Sequence, residues 1–108
     1  MAWTSLCDLA ELTDGQGKFV QISGFELAVY LHDGKVFALD NTCPHAGGPL
    51  WEGTIDGDYC VCPWHNWAFG LETGELRGAA GIKITSYPTR ILEREGKETL
   101  VQADLPFP

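Results

Sequence analysis

The sequence predicts an all-β fold in which an antiparallel, sandwich-like or barrel-like base carries one inserted lobe. Short apolar runs alternate with polar residues at a period of two, as in strands that bury one face. Asp-Gly pairs at 14–15, 33–34 and 56–57 interrupt the chain, and such pairs favour tight hairpin turns. Helical patterning is confined to residues 8–12, which suffices for one turn.

The first half of the chain contains three predicted strands, at residues 18–22, 25–31 and 36–39. The second strand is the clearest, because its alternate residues are all apolar and share one face: Phe25, Leu27, Val29 and Leu31. Asp33 and Gly34 lie between the second and third strands, and a type I′ turn needs positive φ at both of its central residues. These two strands are therefore predicted to form a hairpin.

The C-terminal part of the chain predicts a second hairpin. Residues 87–92 and 99–102 read as strands, and Glu95 and Gly96 supply the turn between them.

The middle of the chain has a different composition. Residues 41–53 and 62–81 are rich in Gly, Pro, Cys, His and Trp and cannot form long ladders. Their backbone polar groups must be satisfied by turns or by something bound. We therefore expect residues 1–108 to form one domain, with a lobe of about residues 41–82 inserted in the β base.

Charge and hydropathy narrow the classes of partner. The chain carries 15 acidic and 7 basic residues, a net charge of −8, without the basic cluster that nucleic acid or an anionic membrane would require. An acidic surface instead suits docking to a basic patch of a partner protein. No apolar run approaches the ~18 residues of a membrane span, and the N-terminus shows no secretory leader. We expect a cytoplasmic protein that binds neither nucleic acid nor membrane.

Two short motifs concentrate metal-ligating side chains. Cys43-Pro44-His45 is followed, after sixteen residues, by Cys62-Pro63-Trp64-His65, so each loop offers one thiolate and one imidazole. Both Zn²⁺ with two Cys and two His and a [2Fe–2S] cluster with the same ligands fit this donor set. Structural zinc sites usually pair Cys with Cys and His with His along the chain, so mixed loops favour the cluster.

The two motifs resemble the signature of Rieske proteins, Cys-x-His followed by Cys-x-x-His. The surrounding segments 41–50, 62–69 and 71–75 resemble that family too. The resemblance implies a Rieske fold and one [2Fe–2S] cluster per chain. It also implies the ligand set: Cys43 and Cys62 on the inner iron, His45 and His65 on the outer iron.

The resemblance implies one-electron transfer between protein redox partners, a reductase and a terminal reductase or oxygenase. The sequence contains no candidate nucleophile with an oriented base and no phosphate, flavin or nicotinamide fingerprint, so substrate chemistry is expected to belong to a partner. His65-Asn66-Trp67 and segments 71–75 and 83–90 resemble the small subunit of assimilatory NAD(P)H-nitrite reductase. The alternatives are the ferredoxin component of a ring-hydroxylating dioxygenase system, which commonly has Gly after the second His, and a redox sensor.

The resemblance also predicts a low reduction potential. High-potential respiratory Rieske proteins carry a disulfide at the positions of Gly48 and Trp64, and hydroxyl donors at the positions of Trp67 and Phe69. This chain has neither feature, and fewer hydrogen bonds to the sulfurs stabilise the reduced state less.

Other residues near the motifs have ordinary explanations. Cys7 and Cys60 are expected to be buried packing residues, although Cys60 lies only two residues before Cys62. We expect Trp64 and Trp67 to pack the lobe and to shield it from water.

Overall fold

The computed structural model describes residues 2–44, 47–64, 66–79 and 81–106, and this part of the chain confirms the all-β prediction. It contains ten strands and two short 3₁₀ helices. The strands are β1 (Ala2–Asp8), β2 (Gly17–Ile22), β3 (Phe25–His32), β4 (Lys35–Asp40), β5 (Thr54–Asp56), β6 (Tyr59–Val61), β7 (Ala68–Gly70), β8 (Ser86–Tyr87), β9 (Thr89–Leu92) and β10 (Leu100–Leu105). The 3₁₀ helices are Leu9–Glu11 and Leu50–Glu52. Among the described residues, no helix is long and apolar enough to cross a membrane.

The strands form three antiparallel sheets. Two of them, with orders β1-β10-β9 and β2-β3-β4-β8, make the base, and the third, β5-β6-β7, belongs to the lobe. Strands β4 and β8 pair directly, with Ala38 opposite Tyr87 and Leu39 opposite Ser86. All three lobe strands therefore lie, in chain order, between two neighbouring strands of one base sheet.

Strand β3 is buried on both faces, which its period-two pattern did not predict. Leu27 and Val29 enter the core between the base sheets, as expected. Ala28 and Tyr30 are equally buried, and they pack into a second core beneath the lobe. The second face of the strand is apolar at its centre because the lobe covers it.

The first predicted hairpin is confirmed in its details. His32 pairs with Lys35, and the two residues between them have positive φ, 52° at Asp33 and 75° at Gly34. This is the type I′ turn that the Asp-Gly pair favours.

The C-terminal hairpin differs from the prediction at its first strand. Residues 87–92 do not form one strand: Tyr87 pairs with β4, whereas β9 begins at Thr89 and pairs with β10. Pro88 separates them because it has no backbone N–H to continue a ladder, and its carbonyl accepts the N–H of Asp104 at 2.9 Å. The sequence analysis did not predict β1, whose pairing partner β10 lies at the other end of the chain.

The base and the lobe meet along a hydrogen-bonded seam. The buried Tyr30 hydroxyl donates to the carbonyl of Leu50, at the start of the 3₁₀ helix that enters the lobe. The side-chain oxygen of Asn41 accepts a hydrogen bond from the N–H of Trp51 at 3.0 Å, and the backbone carbonyl of Asn41 accepts one from the N–H of Leu50 at 2.8 Å. These contacts fix where the lobe begins relative to β3.

Candidate metal centre

Backbone hydrogen bonds close the first motif into a tight loop. Cys43 donates its N–H to the carbonyl of Gly48 at 3.0 Å, and Gly47 donates to the carbonyl of Cys43 at 2.8 Å. Gly47 adopts φ of 74°, which is left-handed backbone that glycine accepts at little cost. Cys43 therefore lies at the base of the loop. His45 falls within it along the chain but is outside the described residues.

The second motif forms a loop of the same kind. The Cys62 N–H donates to the carbonyl of Trp67 at 2.7 Å, so the chain leaves β6 at Cys62 and returns at once into β7. His65 falls inside this loop and is also outside the described residues. Asn66, directly after it, has φ of 60°. Asn is the residue that tolerates this conformation best after Gly.

The structure brings the two loops into contact at Gly48. A side-chain Cβ placed there would lie 2.9 Å from the Sγ of Cys62 and 2.9 Å from the Trp64 ring. The backbone of the first loop therefore packs directly against the cysteine of the second. Only glycine permits this approach, because any larger residue would push the loops apart.

The thiols of Cys43 and Cys62 form the described part of the candidate centre. Both are free and fully buried, and they lie within hydrogen-bonding reach of each other. Burial raises the pKa of Cys62, and the neighbouring Cys43 thiol raises it further. Two adjacent thiolates would be unstable here without a compensating cation. Bound iron would supply that charge, so the donor pair fits one iron of a [2Fe–2S] cluster.

The other two proposed ligands, the imidazoles of His45 and His65, are assigned from the sequence motifs alone. Within the described ranges, no group of three or more His, Cys, Asp or Glu is placed to hold a metal ion. Cys43 and Cys62 are two of the four predicted ligands, and the other two, His45 and His65, lie outside the described residues. Assignment of all four as ligands therefore remains a prediction.

The other two cysteines lie outside the loops, in the two cores. Cys60 is fully buried on β6 and faces Phe69 on β7, and burial raises the pKa of its thiol to about 12. Cys7 lies in the core between the base sheets, where burial raises its pKa to about 11. Both environments oppose thiolate formation and suit packing residues.

The aromatic side chains around the second loop differ in exposure. Phe69 is fully buried, and its ring centroid lies 6.5 Å from that of Trp67, so these two rings pack the lobe, as predicted for Trp67. Trp64 is 49% exposed, so only part of it packs on the lobe, and its shielding of the site stays a prediction. The Trp64 ring lies beside Gly48, and about half of the surface of this residue is open to solvent.

The lobe is strongly acidic. Residues 41–82 contain one basic side chain, Arg77, and five acidic ones, Glu52, Asp56, Asp58, Glu72 and Glu75. Arg77 is paired with Asp56, its Nη2 lying 3.0 Å from Oδ2. The lobe therefore carries a net negative charge.

Comparison with protein families gives one match across most of the chain. A sequence model described as "Rieske [2Fe-2S] domain" matches residues 2–88. The ferredoxin component of the naphthalene 1,2-dioxygenase system of Pseudomonas aeruginosa is 31% identical over 100 residues, which cover 92% of this chain and 93% of that protein. Apoptosis-inducing factor 3 of Mus musculus and Homo sapiens is 31% identical over 78 residues, 72% of this chain, and the match spans only 13% of its length.

Two solved structures show the same architecture. A ferredoxin of Sphingomonas yanoikuyae B1 is 34% identical, with a TM-score of 0.79 over 97% of this chain and 100% of that chain. A chain described as an NADH-dependent nitrite reductase small subunit, from Mycobacterium tuberculosis, has a TM-score of 0.84 over 98% of this chain and 97% of its own. The latter is 23% identical, so it supports the fold alone.

Proposed function

We propose that this chain, which belongs to the Rieske [2Fe–2S] domain family, passes single electrons between two protein partners through a cluster held by Cys43, His45, Cys62 and His65. The cofactor of this family is one [2Fe–2S] cluster, which supplies one-electron redox chemistry. One observation carries the ligand assignment. Two buried, free cysteines come from two loops that touch, with Gly48 packed against the Sγ of Cys62.

The insertion of the lobe between β4 and β8 supports a further part of the proposal. We infer that residues 1–108 form one domain, whose base holds the lobe of about residues 41–82 in place. The seam from Tyr30 to Leu50 would then transmit the rigidity of β3 to the first ligand loop. The chain's own residues thus orient the thiolates and exclude water from the inner side of the cluster.

Reductive titration tests the electron-transfer function. With neutral imidazoles and only two thiolates, the oxidised centre carries less negative charge than a four-cysteine cluster, so it accepts an electron more easily. Trp67 and Phe69 cannot donate hydroxyl hydrogen bonds to the sulfurs, which keeps the potential low within the Rieske class. We expect uptake of one electron per chain with a midpoint of about −150 mV. A midpoint above about +100 mV would contradict the hydrogen-bond argument.

For the pathway, we propose the role of a nitrite-reductase small subunit, supported by His65-Asn66-Trp67 and segments 71–75 and 83–90. The second candidate is the ferredoxin component of a ring-hydroxylating dioxygenase system. It is favoured by the relatives at 31% and 34% identity. It is also favoured by the positive φ of Asn66, because Asn and the Gly typical of those ferredoxins suit the same backbone conformation.

Stopped-flow mixing of the reduced chain with a sirohaem nitrite reductase and with a dioxygenase terminal oxygenase separates the two candidate roles. The first proposal requires faster oxidation by the nitrite reductase, and the second requires the reverse.

The partner surface is proposed to surround the tip of the lobe, where Trp64 is exposed within the second ligand loop. Exposed aromatic side chains often anchor protein interfaces. The acidic lobe would attract a basic patch on a redox partner and orient the encounter. In this arrangement the exposed end of the lobe would bring the ligand loops close to the acceptor of the partner.

The Trp64→Ala variant is expected to slow electron transfer to the protein partner by about tenfold while leaving the midpoint potential unchanged. Trp3→Ala is the matched control, because Trp3 is 40% exposed but lies on β1, outside the lobe. The transfer rate should also fall as salt rises from low to physiological strength, since screening weakens steering. Equal rates for both variants, or rates independent of salt, would locate the docking surface elsewhere.

A further inference from the structure

The three lobe strands need bracing that their own ladders do not provide. β5, β6 and β7 are three residues long each, so few backbone bonds hold them together. The second ligand loop leaves from β6 and returns into β7, and its shape depends on the register of these two strands. A short sheet of this kind frays easily unless side chains tie its strands together.

Residues 75–77 add a fourth row to this sheet. Gly70 donates to the carbonyl of Glu75 at 2.9 Å, and Arg77 donates to the carbonyl of Ala68 at 2.8 Å. Leu76 bridges to Phe69 between these bonds. Arg77 is therefore the neighbour of Ala68, which begins β7 three residues after His65.

The face of this sheet that carries Arg77 is the one turned away from the lobe core. Cys60, Phe69 and Leu76 form the row that packs into the core. The alternate residues of β7, Ala68 and Gly70, are small, so the Arg77 side chain on the same face can reach across this strand to β6 and β5.

Arg77 makes two specific contacts with residues of β6 and β5. Its guanidinium carbon lies 4.5 Å from the centre of the Tyr59 ring, on β6. Its Nη2 donates to Oδ2 of Asp56, on β5, at 3.0 Å. With its backbone bond to Ala68, this one residue connects all three strands of the lobe sheet to the 75–77 row.

We propose that Arg77 is a positioning residue for the [2Fe–2S] centre, a cross-brace that holds β5, β6 and β7 in register and so fixes the loop from Cys62 to Trp67. This inference rests on the proposed function. The planar guanidinium is needed because it stacks on Tyr59 and bonds Asp56 at once, which an ammonium group does less well. Arg77 is the single basic residue of the lobe, so no neighbouring cation in residues 41–82 can replace it.

The test is the rate at which the loaded protein loses its visible absorbance in air with excess EDTA. The Arg77→Gln and Asp56→Asn variants should each lose the cluster about three- to tenfold faster than wild type, and Arg77→Lys should fall between. Arg94→Gln is the matched control: Arg94 and Glu98 form a pair of similar length, 3.1 Å, and similar exposure outside the lobe. This control should lose the cluster at the wild-type rate.

Comparison of the two variants separates positioning from charge. Arg77→Gln removes a positive charge and Asp56→Asn removes a negative one. If charge alone mattered, the two variants would shift the reduction potential in opposite directions, and they would also change the rate of cluster loss in opposite directions. Bracing instead predicts faster loss in both. Opposite effects on the loss rate, or wild-type rates in both variants, would overturn the inference.

Folding controls keep this result distinct from the proposed function. The thermal midpoint of the apo chain should shift equally little in Arg77→Gln and Arg94→Gln, because exposed ion pairs contribute little to stability. A large apo shift confined to Arg77→Gln would make it a general structural residue and overturn the inference. A wild-type chain without iron and sulfide would refute the proposed function itself, whatever the variants do.

Discussion

The Cys43→Ala and Cys62→Ala variants are expected to be isolated with no iron and no acid-labile sulfide. Each substitution removes a buried thiolate ligand, and the partner thiol cannot hold the inner iron alone. His45→Ala and His65→Ala should likewise lose the cluster or convert it to another species. Because metal binding contributes folding free energy, the thermal midpoint of all four variants should fall towards that of the apo chain. Iron and sulfide analysis and the visible spectrum measure the first effect, and calorimetry the second.

Cys60→Ala is the control for this series. Cys60 is as deeply buried as Cys62 and lies only two residues away, but it faces Phe69 and is not one of the proposed ligands. The variant should keep two irons and two sulfides per chain and lose only some packing, about 1 kcal/mol. Loss of the cluster in Cys60→Ala, or its full retention in Cys62→Ala, would require a different ligand set.

The Gly53→Ala variant should destabilise the lobe and also abolish cluster binding. A Cβ at this position would lie 1.9 Å from the carbonyl oxygen of Val61, the residue immediately before Cys62. Side-chain rotation cannot relieve a clash with backbone, so β5 and β6 must separate, at a cost of about 3 kcal/mol. The displaced segment then carries Cys62 away from Cys43.

The control for Gly53 is Gly96→Ala, in the turn before β10. Gly96 has φ of 70° and no atom within 4 Å of the added Cβ, so alanine there meets only backbone strain, about 1–2 kcal/mol. Gly96→Ala should therefore lower the melting temperature but bind a full cluster. Gly53→Ala with a wild-type iron content would show that the β5–β6 contact does not position Cys62.

The sequence predicted those features that depend on local chemistry. Asp33 and Gly34 specified a hairpin turn through two positive φ angles, and the structure has both. The cysteine loops could be recognised because closely spaced ligands need no knowledge of the fold, and Cys43 and Cys62 do come together. The ligation by His45 and His65 stays a prediction, since these residues lie outside the described ranges.

Features that depend on distant partners could not be predicted in the same way. The burial of Ala28 and Tyr30 follows from the lobe packing on β3, which no pattern within β3 reveals. Pro88 divides the run 87–92 between two sheets, a choice made by the pairing partners β4 and β10. The Arg77 brace joins residues 21 positions apart along the chain, and a lone arginine in a loop carries no signal of such a contact.

The central claim is that the two loops hold a [2Fe–2S] cluster, and metal analysis of the purified wild-type chain tests it most directly. Iron, zinc and acid-labile sulfide are measured on protein purified without oxygen, together with the visible spectrum. The account predicts two irons and two sulfides per chain and a red-brown protein. One zinc per chain with no sulfide would contradict it, because the same four ligands would then form a structural zinc site.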